Sequence, residues 1–111
     1  MSVKVCKFGG SSLADAGHIR RVCELVQADQ ARQYVVPSAP GKRYDGDQKI
    51  TDLLYLCHEH AVQGLGFDEV FALIGERYRA IVTELGLSLD IDAHLREVQA
   101  GIADHAKAGN G

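Results

Sequence analysis

The 111-residue chain lacks a long apolar run, a charge excess, a paired set of cysteines and any internal repeat. No stretch approaches the roughly 18 apolar residues of a membrane span. The first apolar stretch is short and broken by Lys4 and Lys7, so no secretory signal is expected. Net charge is −3, which argues against a general affinity for nucleic acid or an anionic membrane. Any anion site must therefore be local. Three cysteines, Cys6, Cys23 and Cys57, are an odd number without metal-ligand spacing. They read as reduced, mostly buried thiols of a cytoplasmic protein. His58 and His60 are two apart and would face different sides of a helix, so no metal site is expected there.

What is present is a core-forming composition. Hydrophobic residues make up 46% and charged residues 24% of the chain, enough to bury a core as one domain or part of one. Val3–Phe8 reads as a strand ended by Gly9-Gly10. Ser12 to Asp15 then looks like a capping box, with Ser12 as N-cap. Leu13, Ala16, Ile19, Val22, Cys23 and Val26 follow at helical spacing, predicting a helix over about 13–30. Gly17 inside it suggests close packing. Gln33–Pro37 is a second short strand. Strand, helix and strand with short joints imply a parallel βαβ unit with a right-handed crossover.

Residues 38–49 are polar and turn-rich, a loop long enough to suggest function. From Ile50 the pattern is helical. Thr51 or Asp52 would cap a helix that Gly64 and Gly66 end. Phe67 to Leu85 forms a second helix, stopped by Gly86. Ile91, Leu95, Val98 and Ile102 form a third that ends before Gly109. Gly109-Asn110-Gly111 reads as a turn or linker. The fold class is α/β: residues 1–49 form the βαβ part and its loop, and residues 50–111 form about three helices. Two parallel strands cannot cover both of their faces. The sheet is therefore expected to leave edges and apolar faces exposed, which favours self-association.

The residues that carry chemistry are Lys7-Phe8-Gly9-Gly10-Ser11-Ser12. A strand breaking through glycines into a helix aims backbone N–H groups at one point, a cradle for an anion. Lys7 adds a full positive charge. The stretch is not a Walker A loop, because its lysine precedes the glycines, and it lacks the third glycine of a dinucleotide fingerprint.

Lys7–Ser12 resembles the N-terminal signature of the aspartokinases, within the amino-acid kinase superfamily. Val35–Arg43 is similar to that family's second strand and its Ser-Ala loop, and Ile50-Thr51-Asp52-Leu53-Leu54 to its Thr-Asp/Asn-x-Leu element. The later helices are similar to a helical insertion of one monofunctional subgroup. The resemblance implies the N-terminal part of a carbamate kinase-like fold. It also implies an incomplete catalytic domain with little activity alone. The implied reaction transfers the γ-phosphoryl of ATP, with Mg²⁺, to the β-carboxylate of L-aspartate. That is the first step towards lysine, threonine and methionine, in a homo-oligomeric enzyme.

By the same resemblance, Lys7 is the catalytic cation. Phe8, Gly9, Gly10, Ser11 and Ser38 hold phosphate, and Thr51 binds aspartate. Lys42 and Arg43 could close over the nucleotide, although exposed basic loop residues are more often only solvated. Ile74-Gly75-Glu76-Arg77 superficially resembles the family's Gly-Glu substrate motif, but Glu76 falls inside an amphipathic helix and reads as a surface residue. Two alternatives stand: a non-catalytic helical interaction module whose Gly-Gly is only a turn, and another amino-acid kinase acting on glutamate, carbamate or a nucleotide.

Overall fold

The computed structural model describes residues 2–110. They form strand β1 (Lys4–Phe8), a 3-10 turn (Gly10–Leu13), α1 (Ala16–Gln27), β2 (Arg32–Pro37), α2 (Ile50–Val62), α3 (Asp68–Leu85) and α4 (Ile91–Asn110). The chain divides into two compact units, Met1–Ile50 and Thr51–Gly111. No helix among the described residues is long and apolar enough to cross a membrane.

In the first unit β1 and β2 pair in parallel, with Val5 opposite Tyr34, Lys7 opposite Val36 and Phe8 opposite Pro37. Paired residues share a face. Cys6 and Phe8 lie on the more covered face. The opposite face exposes Val5 at 70%, Tyr34 at 61% and Val36 at 51%. A parallel sheet is normally covered on both faces, so this bare apolar face is the one anticipated from only two strands. The buried apolar residues of the unit are Leu13, Ala14, Ala16, Val22 and Ile50.

The capping box is not formed. Asp15, not Ser12, is the N-cap of α1, and its carboxylate accepts from the His18 N–H at 3.0 Å. The chain first makes a 3-10 turn, then becomes extended at Asp15 (φ −151°, ψ 178°) before the helix starts. A carboxylate at this position satisfies an orphan N–H of the first helical turn. The helix is accordingly shorter than 13–30. It ends at Gln27, where the Ala28 N–H bonds to the Glu24 carbonyl, and Arg32 donates to the Leu25 carbonyl. Gly17 marks no close packing; a Cβ there would meet only the Asp15 carboxylate, at 3.7 Å. Cys23 is exposed, Cys6 is half-buried and Cys57 alone is buried, where desolvation raises its thiol pKa.

In the second unit two glycines in the left-handed region stop helices. Gly64 (φ +76°) follows α2, with the Leu65 N–H bonding to the His60 carbonyl at 2.8 Å. Gly86 (φ +66°) follows α3, with the Leu87 N–H bonding to the Val82 carbonyl at 3.0 Å. Both are Schellman closures, which side chains with a Cβ disfavour. Helix α2 starts one residue before the expected cap, so Thr51 and Asp52 lie in its first turn. Phe71, Ile74 and Ile81 of α3 and Leu95 of α4 are buried. Val98 is 46% exposed, and Gln99 occupies the half-buried position beside it. Gln99 donates to Asp68 at 2.9 Å and Arg79 to Asp92 at 2.7 Å, tying α4 to α3. Helix α4 continues through Gly109 and Asn110, so these two residues are not a turn; Gly111 lies outside the described residues.

Candidate functional site

The site grows from the carboxyl ends of β1 and β2. In open α/β sheets this is the edge where ligands bind, because strand-to-helix loops converge there. Here the two loops are pinned backbone to backbone. The Ser38 N–H donates to the Phe8 carbonyl at 3.0 Å, and the Gly41 N–H donates to the Gly10 carbonyl at 2.8 Å. The ladder thus continues past the end of the sheet.

This approach requires glycine at 41 and leaves little room for a side chain at 10. A Cβ on Gly41 would stand 2.6 Å from the carbonyl carbon of Gly10 and 2.9 Å from its oxygen. A Cβ on Gly10 would meet the Cα of Gly41 at 3.1 Å and the Ala39 carbonyl oxygen at 3.2 Å. Gly9 has an ordinary extended backbone (φ −76°, ψ 174°) and open space around it. The role of Gly41 was not assigned from sequence. Its signal is the Pro40-Gly41 pair directly after Ser38-Ala39.

Carbonyls of this junction are used, and amides are left over. Gly10 supplies its carbonyl to Gly41, and Gly9 supplies its carbonyl to the Ser12 N–H at 3.1 Å. The N–H groups of Gly10 and Ser11 precede the first internal bond of the 3-10 turn and make no hydrogen bond among the described residues. The sequence-based picture of α1 itself pointing at the anion needs correction, since the start of α1 is already capped by Asp15. The hydrogen bond from the His18 N–H, then that from its imidazole Nδ1 at 2.6 Å, hold the Asp15 carboxyl below the usual carboxylate range. The cradle is therefore made of loop amides.

The two lysines of β1 have separate roles. Lys4 is tied to Asp29 at 2.6 Å. Lys7, at the carboxyl end of the strand, is exposed and makes no ion pair among the described residues. Phe8 is half-buried, and Ser11 and Ser38 are exposed. The structure thus brings together Lys7, Phe8, Gly9, Gly10, Ser11 and Ser38. Thr51 is exposed in the first turn of α2, and Glu76 is exposed in the middle of α3. Both belong to the other compact unit.

The loop after Gly41 has its own brace. Arg43 grips the Asp47 carboxylate with Nε at 2.7 Å and Nη2 at 3.0 Å, and its backbone N–H adds a third bond at 3.0 Å. The guanidinium lies over the Tyr44 ring, 5.6 Å from its centroid, a cation–π placement. The side-chain bonds from Arg43, then the N–H groups of Arg43 and Gln48, hold the Asp47 carboxyl far below the usual carboxylate range. A carboxylate with a depressed folded pKa stabilises fully above its unfolded pKa, and that contribution is lost as pH falls towards the folded value. Amide-exchange protection of residues 43–47 should therefore decline below about pH 4. At pH 7, Asp47→Asn should cost the loop about 1 kcal/mol. Protection unchanged by both treatments would show that the brace carries no weight.

No protein-family model matches the chain. It is 43% identical over 95 residues to aspartokinase 3 of Bacillus subtilis, covering 86% of this chain and 21% of that protein. It is 34% identical over 92 residues to an aspartokinase of Chlamydia muridarum, covering 82% of this chain and 18% of that protein. The crystal structure of the aspartate kinase of Clostridium acetobutylicum superposes with a TM-score of 0.91 at 48% identity, over 94% of this chain and 24% of that one. The chain spans about a fifth of the length of these curated relatives.

Proposed function

We propose, from its homology to one segment of the aspartokinases, that this chain supplies the nucleotide-phosphate end of an aspartate kinase site. The observation that carries this reading is the pinned pair of loops, Gly10 against Gly41. That contact leaves the Gly10 and Ser11 amides beside Lys7 at the carboxyl edge of the sheet. The reaction would be transfer of the γ-phosphoryl of ATP to the β-carboxylate of aspartate. That carboxylate is already ionised at neutral pH, so no strong general base is needed. Catalysis then reduces to positioning and to neutralising charge on the transferring phosphoryl.

In this reading Lys7 offers a point charge to the phosphate oxygens. The amides of Gly9, Gly10 and Ser11 donate to the same oxygens without having to reorganise. The Ser38 hydroxyl, held level with Phe8 by its backbone bond, faces the phosphates. Thr51 would hydrogen-bond aspartate, and Glu76 has no assigned part. Asp15 and Asp47 already accept from His18 and Arg43, so Mg²⁺ would be held by the nucleotide's own oxygens, where it neutralises their charge. The chain corresponds to about a fifth of its relatives' length, and phosphoryl transfer by it alone is expected to be slight. Calorimetric titration with Mg·AMP-PNP tests the reading. Saturable binding that weakens with added salt is expected; no binding at millimolar nucleotide would overturn it.

A further inference from the structure

The two basic residues after Gly41 have different structural situations. Arg43 is committed to Asp47 through its Nε and Nη2 nitrogens and lies over the Tyr44 ring. Lys42 is exposed and takes part in no hydrogen bond or ion pair among the described residues. It directly follows Gly41, whose N–H is bonded to Gly10 and whose backbone would collide with Gly10 if a Cβ were added. The position of Lys42 is therefore fixed from both sides. Gly41 ties it to the glycine loop, and the Arg43–Asp47 brace holds the next residue. Its four-carbon stem starts one residue from the backbone contact that defines the cradle.

We infer that Lys42 is a second phosphate-binding cation of this site, paired with Lys7 across the Gly10–Gly41 contact, and that Arg43 is a positioning residue. The ligand class is a polyphosphate, the triphosphate tail of a nucleotide. Two lysines, one at the end of β1 and one in the loop after Gly41, suit a chain of linked phosphates better than a single one. Each is a compact charge with rotatable donors, able to follow an oxygen as it moves. The arginine fork, by contrast, fits the fixed planar carboxylate that it already holds.

This inference rests on the nucleotide-phosphate reading above, and the test separates the two. Mg·AMP-PNP and inorganic tripolyphosphate are titrated into the intact chain, Lys42→Met, Lys42→Arg, Lys7→Met and Lys49→Met, with thermal unfolding of each. Lys42→Met should bind both probes about tenfold more weakly, the loss of one charge-assisted contact, while its melting temperature stays unchanged. Lys42→Arg should stay within about twofold, because the charge is kept. Lys49, another exposed loop lysine, should be silent. If Lys7→Met weakens binding and Lys42→Met does not, Lys42 is overturned and the site stands. Equal losses in Lys42→Met and Lys49→Met would reduce Lys42 to general loop charge and overturn it too. If the intact chain binds neither probe, the underlying reading falls with it.

Discussion

Gly41→Ala should destabilise the first unit by about 2–3 kcal/mol, the usual cost of forcing extra volume into a packed position. The new Cβ would lie 2.6 Å from the Gly10 carbonyl carbon, 2.9 Å from its oxygen and 3.0 Å from the Ser11 nitrogen. All three are backbone atoms, so no rotamer change can relieve the overlap. The loops must separate, and the 2.8 Å bond from the Gly41 N–H to the Gly10 carbonyl is lost with them. That bond contributes about 1 kcal/mol, and breaking it strands the N–H of the buried Gly41. The expected readout is a fall of about 1 M in the urea midpoint of the amide resonances of residues 4–41. Nucleotide affinity should fall as well, because the amides of the cradle move with Gly10. Gly9→Ala is the control: nothing lies within 4 Å of a Cβ there, and its midpoint should stay near that of the parent. Equal midpoints for Gly41→Ala and the parent would show that the two loops are not locked together.

Lys7→Met should weaken Mg·AMP-PNP binding at least tenfold, with little change in stability. Lys7 is exposed and forms no ion pair among the described residues, so its removal strands no partner. Methionine keeps the length and apolar stem of lysine while deleting its charge, and the strand position tolerates either. The loss would be that of a charge-assisted contact to phosphate, about 1.5–3 kcal/mol or roughly ten- to a hundredfold. Lys4→Met offers a contrast within the same strand. It breaks the 2.6 Å pair with Asp29 and should affect the strand's anchoring but not the nucleotide. Comparable affinity losses in both variants would mean that Lys7 acts only through net charge.

The strand, the glycine break and the parallel return strand were legible because each depends on neighbouring residues: β-favouring side chains before Gly9 and around Val35 and Val36. Helix ends at Gly64 and Gly86 were legible for the same reason. The start of α1 was misread because Ser12 and Asp15 both make good N-caps. Choosing between them depends on the 3-10 turn that seats Leu13 and Ala14 in the core. Within the site, Lys7 and the Gly-Gly pair stood out locally. The need for glycine at 41 did not, since it arises from a contact with a residue 31 positions earlier. The commitment of Arg43 to Asp47 was equally hidden: a four-residue spacing has no fixed meaning in a loop, and only the folded turn turns both groups towards each other.

The most direct measurement follows the backbone amides of the ¹⁵N-labelled chain as Mg·AMP-PNP is added. If the cradle is built from the loop, the resonances of Gly9, Gly10 and Ser11 should shift most and saturate together. Those of Ser38 and Lys42 should shift less but with the same dissociation constant, and His18, at the capped start of α1, should move little. Shifts confined to the second unit, or saturable binding that leaves Gly10 and Ser11 unmoved, would contradict the account.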